Sequence, residues 1–455
     1  MVMGSLPENV DVAVLGGGVG GYVAAIRASE LGKNVAIVEK NKMGGHCLNY
    51  ACIPSKTMIY IADLFYDMTH SEKFGIKASE VKIDPQKMYQ WRMDVSKKLE
   101  SGVEYLCKSN GIEVIKTKGT FISSNQIQME NGEELDFKKA IIATGSEPKE
   151  VAGFGADKGV IDYKAALMLQ TIPQSMSIIG AGYVAVEIGT LFAKLGSKVD
   201  IIAHSDVLSK FDREAVDLVK KRMQQLGVTI HTNATPSSLQ GSTITLSNGE
   251  TINSQTIVSA VGLVPYTDGL GLQNTKVKTD AKGFILVNSS MQTQDPNIYA
   301  VGDAVGEPLL AHKAIRQGEV AGEAAAGQNA SYDNKVVPAV IFSDPEVAIA
   351  GILEGQGIKT KKFPLTALGR AIALDNTNGF IKIAYDDSEN IKGVEIVSPD
   401  ANAMIAEAAL AIEMGATLED VADTIHPHPT FSELFQEVAG AALDRPIHFY
   451  YGSKK

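Results

Sequence analysis

Two glycine-rich turns of one design set the strongest limit on what this chain can fold into. The first lies in VDVAVLGGGVGGYVAAIRASELGKNVAIVEK, where Gly16, Gly18 and Gly21 follow an apolar run and open a helical pattern. The second lies in QSMSIIGAGYVAVEIGTLFAKLGSKVDIIAH, with Gly180 and Gly182 in the same setting and Ala185 in the third place. An apolar strand, a bare turn and a helix start make a dinucleotide-binding fingerprint, because bare backbone approaches a pyrophosphate at the positive end of a helix. The likeness runs past the turns. NGEELDFKKAIIATGSEP (131–148) matches NGETINSQTIVSAVGLVP (248–265) at a constant offset of 117. This predicts a duplicated dinucleotide-binding domain. From Gly16 to Gly111 is 95 residues and from Gly180 to Gly227 only 47, so the first copy carries about 48 extra residues, most of them after Lys40.

The predicted fold class is α/β, with two duplicated Rossmann-like domains followed by a C-terminal α+β domain. Residues 1–150 form the first nucleotide domain with its insertion, and 151–267 the second. Residues 268–335 return to complete the first, and 336–455, with alternating strands and then amphipathic helices, form the last domain. The formal charge of −11 argues against a nucleic-acid or anionic-membrane surface. No apolar run reaches the roughly 18 residues needed to span a bilayer. The start MVMGSLPENVD lacks the pattern of a secretory signal, and three cysteines make no secreted disulfide framework. A reducing cytoplasm is the expected location.

The insertion opens on GGHCLNYACIPSKT (44–57), which holds Cys47 and Cys52. No neighbouring CxxC or HxxxH pattern accompanies them, so no metal site is expected. A structural staple would close a loop of only about five residues and constrain the unfolded chain little. An exchangeable disulfide fits better. It needs Cα atoms about 4.4–6.8 Å apart, so 47–52 must bend into an irregular helical turn, and a nearby helix start would favour a thiolate. Cys107, in YLCKSN, reads as an ordinary buried thiol. A redox couple needs an electron acceptor, which the first nucleotide site offers as a flavin, and a group to take a proton. That group is sought in TIHPHPTFSEL (424–434), where Glu433 stands five residues after His428 and could orient it, while His426 competes as the base. The two nucleotide sites differ at one position. Glu39, 23 residues beyond Gly16, suits a ribose; Ala203, equally far beyond Gly180, accepts nothing. His204, Ser205 and Lys210 are candidates for a weak phosphate contact, with a solvated loop the plainer reading.

With these motifs the chain resembles the flavin-dependent pyridine nucleotide-disulfide oxidoreductases over nearly all its length. The carriers are the two glycine turns, GGHCLNYACIPSK, IIATGSEP, YAVGDAVGEPLLAHKA, VVPAVIFSDPEVAIAG, GRAIALDNTNGFIKI and HPTFSE. The resemblance implies FAD held by Gly16, Gly18, Gly21, Glu39, Thr144, Gly145, Asp303 and Ala311, with Lys56 by the ring and paired with Glu187. It implies a nicotinamide nucleotide at Gly180, Gly182, Tyr183, Glu187 and Gly262, Tyr183 covering the flavin until the nucleotide binds. Cys52 would be the charge-transfer thiolate, Cys47 the thiol that exchanges with substrate, and His428, held by Glu433, the acid–base from the other subunit of a homodimer. The implied activity is oxidation of protein-bound dihydrolipoamide to lipoamide, with a hydride passed to NAD. The partners would be lipoyl domains of a 2-oxoacid dehydrogenase or glycine cleavage complex. Ala203, Ala185 and Leu263, which stands where the family usually has Arg, leave NADP open beside NAD. They also leave open another NADP(H)-using flavin disulfide reductase, or a turnover-impaired flavoprotein serving as a component of a lipoyl complex.

Overall fold

The apolar run near the N-terminus becomes the inner strand of a sheet covered on both faces, which is why it does not alternate. The structure is a computed structural model and describes residues 9–209 and 211–452. In chain order the first elements are β1 (Asn9–Leu15), α1 (Val19–Glu30), β2 (Val35–Val38), α2 (Gly45–Asn49), α3 (Cys52–Thr69), α4 (Pro85–Ser109), β3 (Glu113–Ile115), β4 (Gly119–Ser123), β5 (Gln126–Met129), β6 (Glu134–Ile142) and β7 (Ser146–Pro148). Strands β3, β2, β1 and β6 lie side by side and parallel. The far edge of β6 is shared: β5 pairs antiparallel with its first half, and the returning strand Ile298–Ala300 pairs parallel with its second half. This unit comprises the residues up to Ile172 together with Ser259–Asp333. Helix α1 packs on the returning helix Ala311–Ala325 through small residues: a Cβ at Gly318 would lie 2.4 Å from the Gly20 carbonyl oxygen.

The insertion is α2 and α3 with the connection to α4, all between β2 and β3. Asp84 caps α4 by accepting from the backbone N–H groups of Gln86 and Lys87, with Pro85 in the first turn where its missing N–H costs nothing.

The second unit comprises Pro173–Val258 and the chain from Asn334 onward. Its nucleotide part repeats the first: strands Thr229–His231, Lys198–Ile202, Ser175–Ile179 and Thr256–Ser259 lie in that order, beside a separate antiparallel meander of Pro236–Gln240, Thr243–Leu246 and Thr251–Asn253. The last domain is a five-stranded antiparallel sheet in the order Ala339–Ile341, Glu346–Gly351, Ile391–Ser398, Phe380–Tyr385, Lys359–Pro364. Helices Ala401–Met414 and Glu433–Ala442 bury Ile405, Leu434, Phe435 and Val438 against Phe363, Ile383 and Ile396. Residues 151–172 group with the first unit. Among the described residues no helix is long and apolar enough to cross a membrane.

One charge in this core is poorly served. Glu395 is fully buried and neither carboxyl oxygen accepts a hydrogen bond. Its cross-strand neighbour Lys382 stands 3.7 Å away but only 2.5 Å from Asp212. Burial, and then the Asp212 charge, push the Glu395 carboxyl up to about 7. Because the folded value exceeds the unfolded one, the folded state holds the extra proton and loses stability as pH rises from about 4.5 through 7. Glu395→Gln should match the parent near pH 4.5 and gain on the order of 3 kcal/mol over it by pH 8, read from denaturant midpoints. An advantage equal at both pH values would show that this carboxyl does not titrate with folding.

Candidate active site

The first glycine turn needs residues without side chains. Gly16 has φ +107°, and a Cβ there would lie 2.4 Å from the Ala143 carbonyl oxygen, while one at Gly21 would lie 1.9 Å from the Gly16 oxygen. The turn therefore presses onto the sheet and leaves the N-terminus of α1 bare. Glu39, at the end of β2, accepts from the N–H groups of Gly17 and Asn41 at 2.6 Å each. A carboxylate has about four lone-pair sites, so about two remain for ribose hydroxyls.

The second pair of glycines docks onto this turn. Gly44 adopts φ +83° and its N–H donates to the Gly17 carbonyl at 2.8 Å, and Gly18 and Gly44 form a parallel bridge. A Cβ at Gly45 would lie 2.7 Å from the Gly18 Cα. The cysteines are thereby delivered to the nucleotide turn. Cys47 sits in the middle of the short helix α2. After it the chain folds back, since the N–H groups of Tyr50 and Ala51 both donate to the His46 carbonyl at 2.9 Å. That places Cys52 as the first residue of α3, an 18-residue helix whose positive end favours a thiolate. Both cysteines are free thiols. Donation of the Cys47 S–H to Cys52 holds the Cys47 pKa far above the ordinary thiol range, helped by burial and opposed by the Lys56 ammonium. Cys107 is buried apart from them, and burial pushes its thiol up to about 11.

Around this pair stand residues the motif reading passed over. His46 donates through Nδ1 to the Ser146 carbonyl at 3.1 Å, which leaves Nε2 to accept from the Tyr163 hydroxyl at 3.0 Å. Burial, and then the Lys164 charge, push His46 down to about 4, so it is neutral at physiological pH. The Ser146 hydroxyl donates to Asp303 at 2.6 Å, and burial raises the Asp303 carboxyl above its ordinary value. The only sequence signals were, for His46, its place immediately before Cys47 and, for Ser146, its place in IIATGSEP; Tyr163 carried none. Thr144 donates to the Tyr266 carbonyl at 2.6 Å, the Gly145 carbonyl accepts from the Tyr266 N–H at 2.9 Å, and Lys40 lies 3.6 Å over the Tyr266 ring. Ala311 opens the returning helix, and Gly262, with φ +113°, precedes the strand Leu263–Pro265, which pairs with β7.

In the second unit Gly180 has φ +136° and Gly182 caps the helix Tyr183–Lys194, with Ala185 buried and Tyr183 39% exposed. Glu187, buried, accepts from the Phe342 N–H at 3.0 Å; Lys56 belongs to the first unit and Glu187 to the second. Ala203 is wholly buried, its N–H donating to His231 and its carbonyl accepting from Ala234. The nearby acids are already engaged, Asp200 with His231 at 2.8 Å and Asp206 with Lys220 at 2.8 and 2.9 Å. His204 is exposed and Ser205 half-buried, while Lys210 lies outside the described residues. At the far end, His428 Nδ1 meets Glu433 at 2.7 Å with the ring 76% exposed. Glu433 also accepts from the Thr430 N–H at 2.8 Å, which fixes its orientation. His426 has the opposite setting. Its ring is buried, with Nε2 on Glu407 at 2.8 Å and Nδ1 on the Thr424 carbonyl at 2.9 Å, so both nitrogens are occupied.

Residues 10–318 match the pyridine nucleotide-disulphide oxidoreductase family, and 337–439 match its dimerisation domain. The chain belongs to the pyridine nucleotide-disulphide oxidoreductases. It is 43% identical to a dihydrolipoyl dehydrogenase of Geobacillus stearothermophilus, covering 98% of this chain and 99% of the relative. It is 40% identical to one of Bacillus subtilis, with 98% and 99% covered. Among solved structures, LpdA from Mycobacterium tuberculosis superposes with a TM-score of 0.88 at 24% identity, covering 95% of this chain and all of that one. The flavoprotein disulfide reductase RclA from Escherichia coli gives 0.86 at 24%, covering 96% and 100%. These two likenesses concern the fold.

The family uses FAD and a pyridine nucleotide, and the first site fits FAD on its own terms. A bare helix start suits a pyrophosphate, and Glu39, with lone pairs to spare, suits a ribose. Gly18 offers a clean test. Its φ is −69° and a Cβ there would find its nearest neighbour 4.0 Å away, so the fold tolerates alanine. Gly18→Ala should keep the parent's unfolding midpoint and lose most of its bound flavin, read as flavin absorbance per chain after gel filtration. Full flavin retention would remove this turn from the pyrophosphate site.

Proposed function

We propose that the protein oxidises protein-bound dihydrolipoamide to lipoamide through Cys47 and Cys52, as a homodimer in the cytoplasm. The observation that carries the reading is the placement of the pair: Cys47 in the short helix α2 and Cys52 at the start of the long helix α3, both on a segment docked on a dinucleotide turn. Starting from the Cys47–Cys52 disulfide, a dihydrolipoyl thiolate attacks Cys47 and displaces Cys52 as a thiolate stabilised by the α3 terminus. His428 of the partner subunit, its Nδ1 held by Glu433 and its Nε2 making no hydrogen bond among the described residues, takes the proton of the attacking thiol. The second lipoyl sulfur then displaces Cys47, which leaves carrying the remaining proton, and the lipoyl disulfide departs. The products are one cyclic disulfide, one Cys47 thiol, one Cys52 thiolate and one proton on His428. FAD, when bound, supplies the acceptor for the electron pair left on the cysteines and the route of a hydride to the nicotinamide. Lys56 and Asp303 set the charge around the pair. The lipoyl group arrives on a carrier domain of a 2-oxoacid dehydrogenase or glycine cleavage complex.

His428→Gln should lower kcat for dihydrolipoamide oxidation by about 10²–10⁴-fold with flavin content unchanged. His426→Gln, which removes a group with both nitrogens already paired, should change it less than about threefold. The reverse result would assign the base to His426.

The nicotinamide partner is NAD in this reading, held without an acid at the ribose. The engagement of Asp200 and Asp206 by other partners supports the second reading, a chain with slow turnover that serves as a component of a lipoyl complex. Ala203→Glu restores what Glu39 does in the first copy and should lower the KM for NAD about tenfold with kcat little changed. Equally poor rates with NAD and NADP in parent and variant would favour the second reading.

A further inference from the structure

Helix α4 buries Met88, Arg92, Ser96, Val103 and Cys107. The spacing asks for an apolar residue at 92, yet an arginine only 1% exposed stands there. A buried guanidinium normally faces a carboxylate, because the charge is costly to desolvate. Arg92 makes no ion pair among the described residues. Its Nη2 donates to the backbone carbonyl of Asn49 at 2.9 Å, its Nη1 lies 2.7 Å from the Met93 sulfur, and its Nε is unpartnered. Asn49 ends α2, two residues after Cys47 and three before Cys52. Its own side-chain amide donates to the carbonyls of Met43 at 2.9 Å and Gly45 at 3.0 Å. The turn that carries both cysteines is thus held at its middle by a buried cation whose one strong partner is that turn.

We propose that Arg92 is a positioning residue of the thiol–disulfide couple, keeping the dithiol turn in the bend its disulfide requires. The proposal rests on the reading of Cys47 and Cys52 as the exchanging pair. Oxidation removes two electrons and the Cys47 proton from the thiol–thiolate pair as one S–S bond forms. A turn already bent loses less freedom in that step, so Arg92 favours the disulfide and makes it harder to reduce. Removing the guanidinium frees the dithiol and shifts the equilibrium toward it. Replacing a buried charge by an apolar side chain of similar length is often neutral for stability, which separates this effect from a structural one.

The test equilibrates the holoenzyme in buffers of reduced and oxidised glutathione, where each disulfide formed converts one glutathione disulfide to two thiols. Alkylation and mass analysis of the peptide holding Cys47 and Cys52 give the oxidised fraction. Arg92→Met should shift the equilibrium constant about tenfold toward the dithiol, about 30 mV, with an unfolding midpoint equal to or above the parent's. Arg92→Lys, which keeps a cationic donor, should recover most of the shift. Arg92→Gln runs in parallel, so that a methionine variant that fails to fold does not end the test. A parental glutathione ratio in Arg92→Met and Arg92→Gln would overturn the proposal, as would a lysine variant shifted as far as methionine. If the parent itself forms no Cys47–Cys52 disulfide in any buffer, the reading of the pair fails and the proposal with it.

Discussion

The contact on which the first unit depends is glycine on glycine: the Gly44–Gly45 step seated on the Gly17–Gly18 turn. With a Cβ at Gly45 the two backbones could not approach, and α2 would lift off the nucleotide turn. Everything redox-relevant follows from that seat. The fold-back onto the His46 carbonyl sets Cys52 at the start of α3, and the His46–Ser146–Asp303 contacts tie the same segment to β7. A sequence interval of a few residues between a glycine turn and a cysteine has become a direct backbone contact.

Much of this was legible in the chain. The duplicated turns and the matching stretches at a fixed offset gave the two α/β sheets, because strand, turn and helix signals are local. The insertion after Lys40 was legible as a difference in spacing, and it is α2 and α3. What was not legible depends on distance in the chain. Tyr163 meets His46 across 117 residues, and nothing about a tyrosine in IDYKAAL announces it. Arg92 sat in a helical stripe where its type looked out of place only once its burial was known. Glu395 likewise reads as a strand residue of either face until the sheet and its helices close over it.

The two nucleotide copies show how a duplication diverges through single positions. At the end of the second strand, Glu39 reaches back to the N–H of Gly17 in the first copy, whereas Ala203 in the second only fills the core. The histidine pair shows the same economy. His426 and His428 are two residues apart, and one is enclosed by Glu407 and Thr424 while the other offers a nitrogen to the surroundings. Equal chemistry in sequence became unequal chemistry in structure through what each ring meets.

The first unit is written in two pieces, with the strand Ile298–Ala300 and the helix Ala311–Ala325 arriving long after β1 and α1. A growing chain therefore completes the second nucleotide sheet's own strands before it can finish the first sheet. Until then half of the β6 edge is unpaired, and the small-residue face of α1 has nothing against it. Such an edge invites pairing with the wrong strand. During synthesis the first nucleotide sheet, though it begins nearest the N-terminus, is thus finished only after every strand of the second nucleotide sheet has been made.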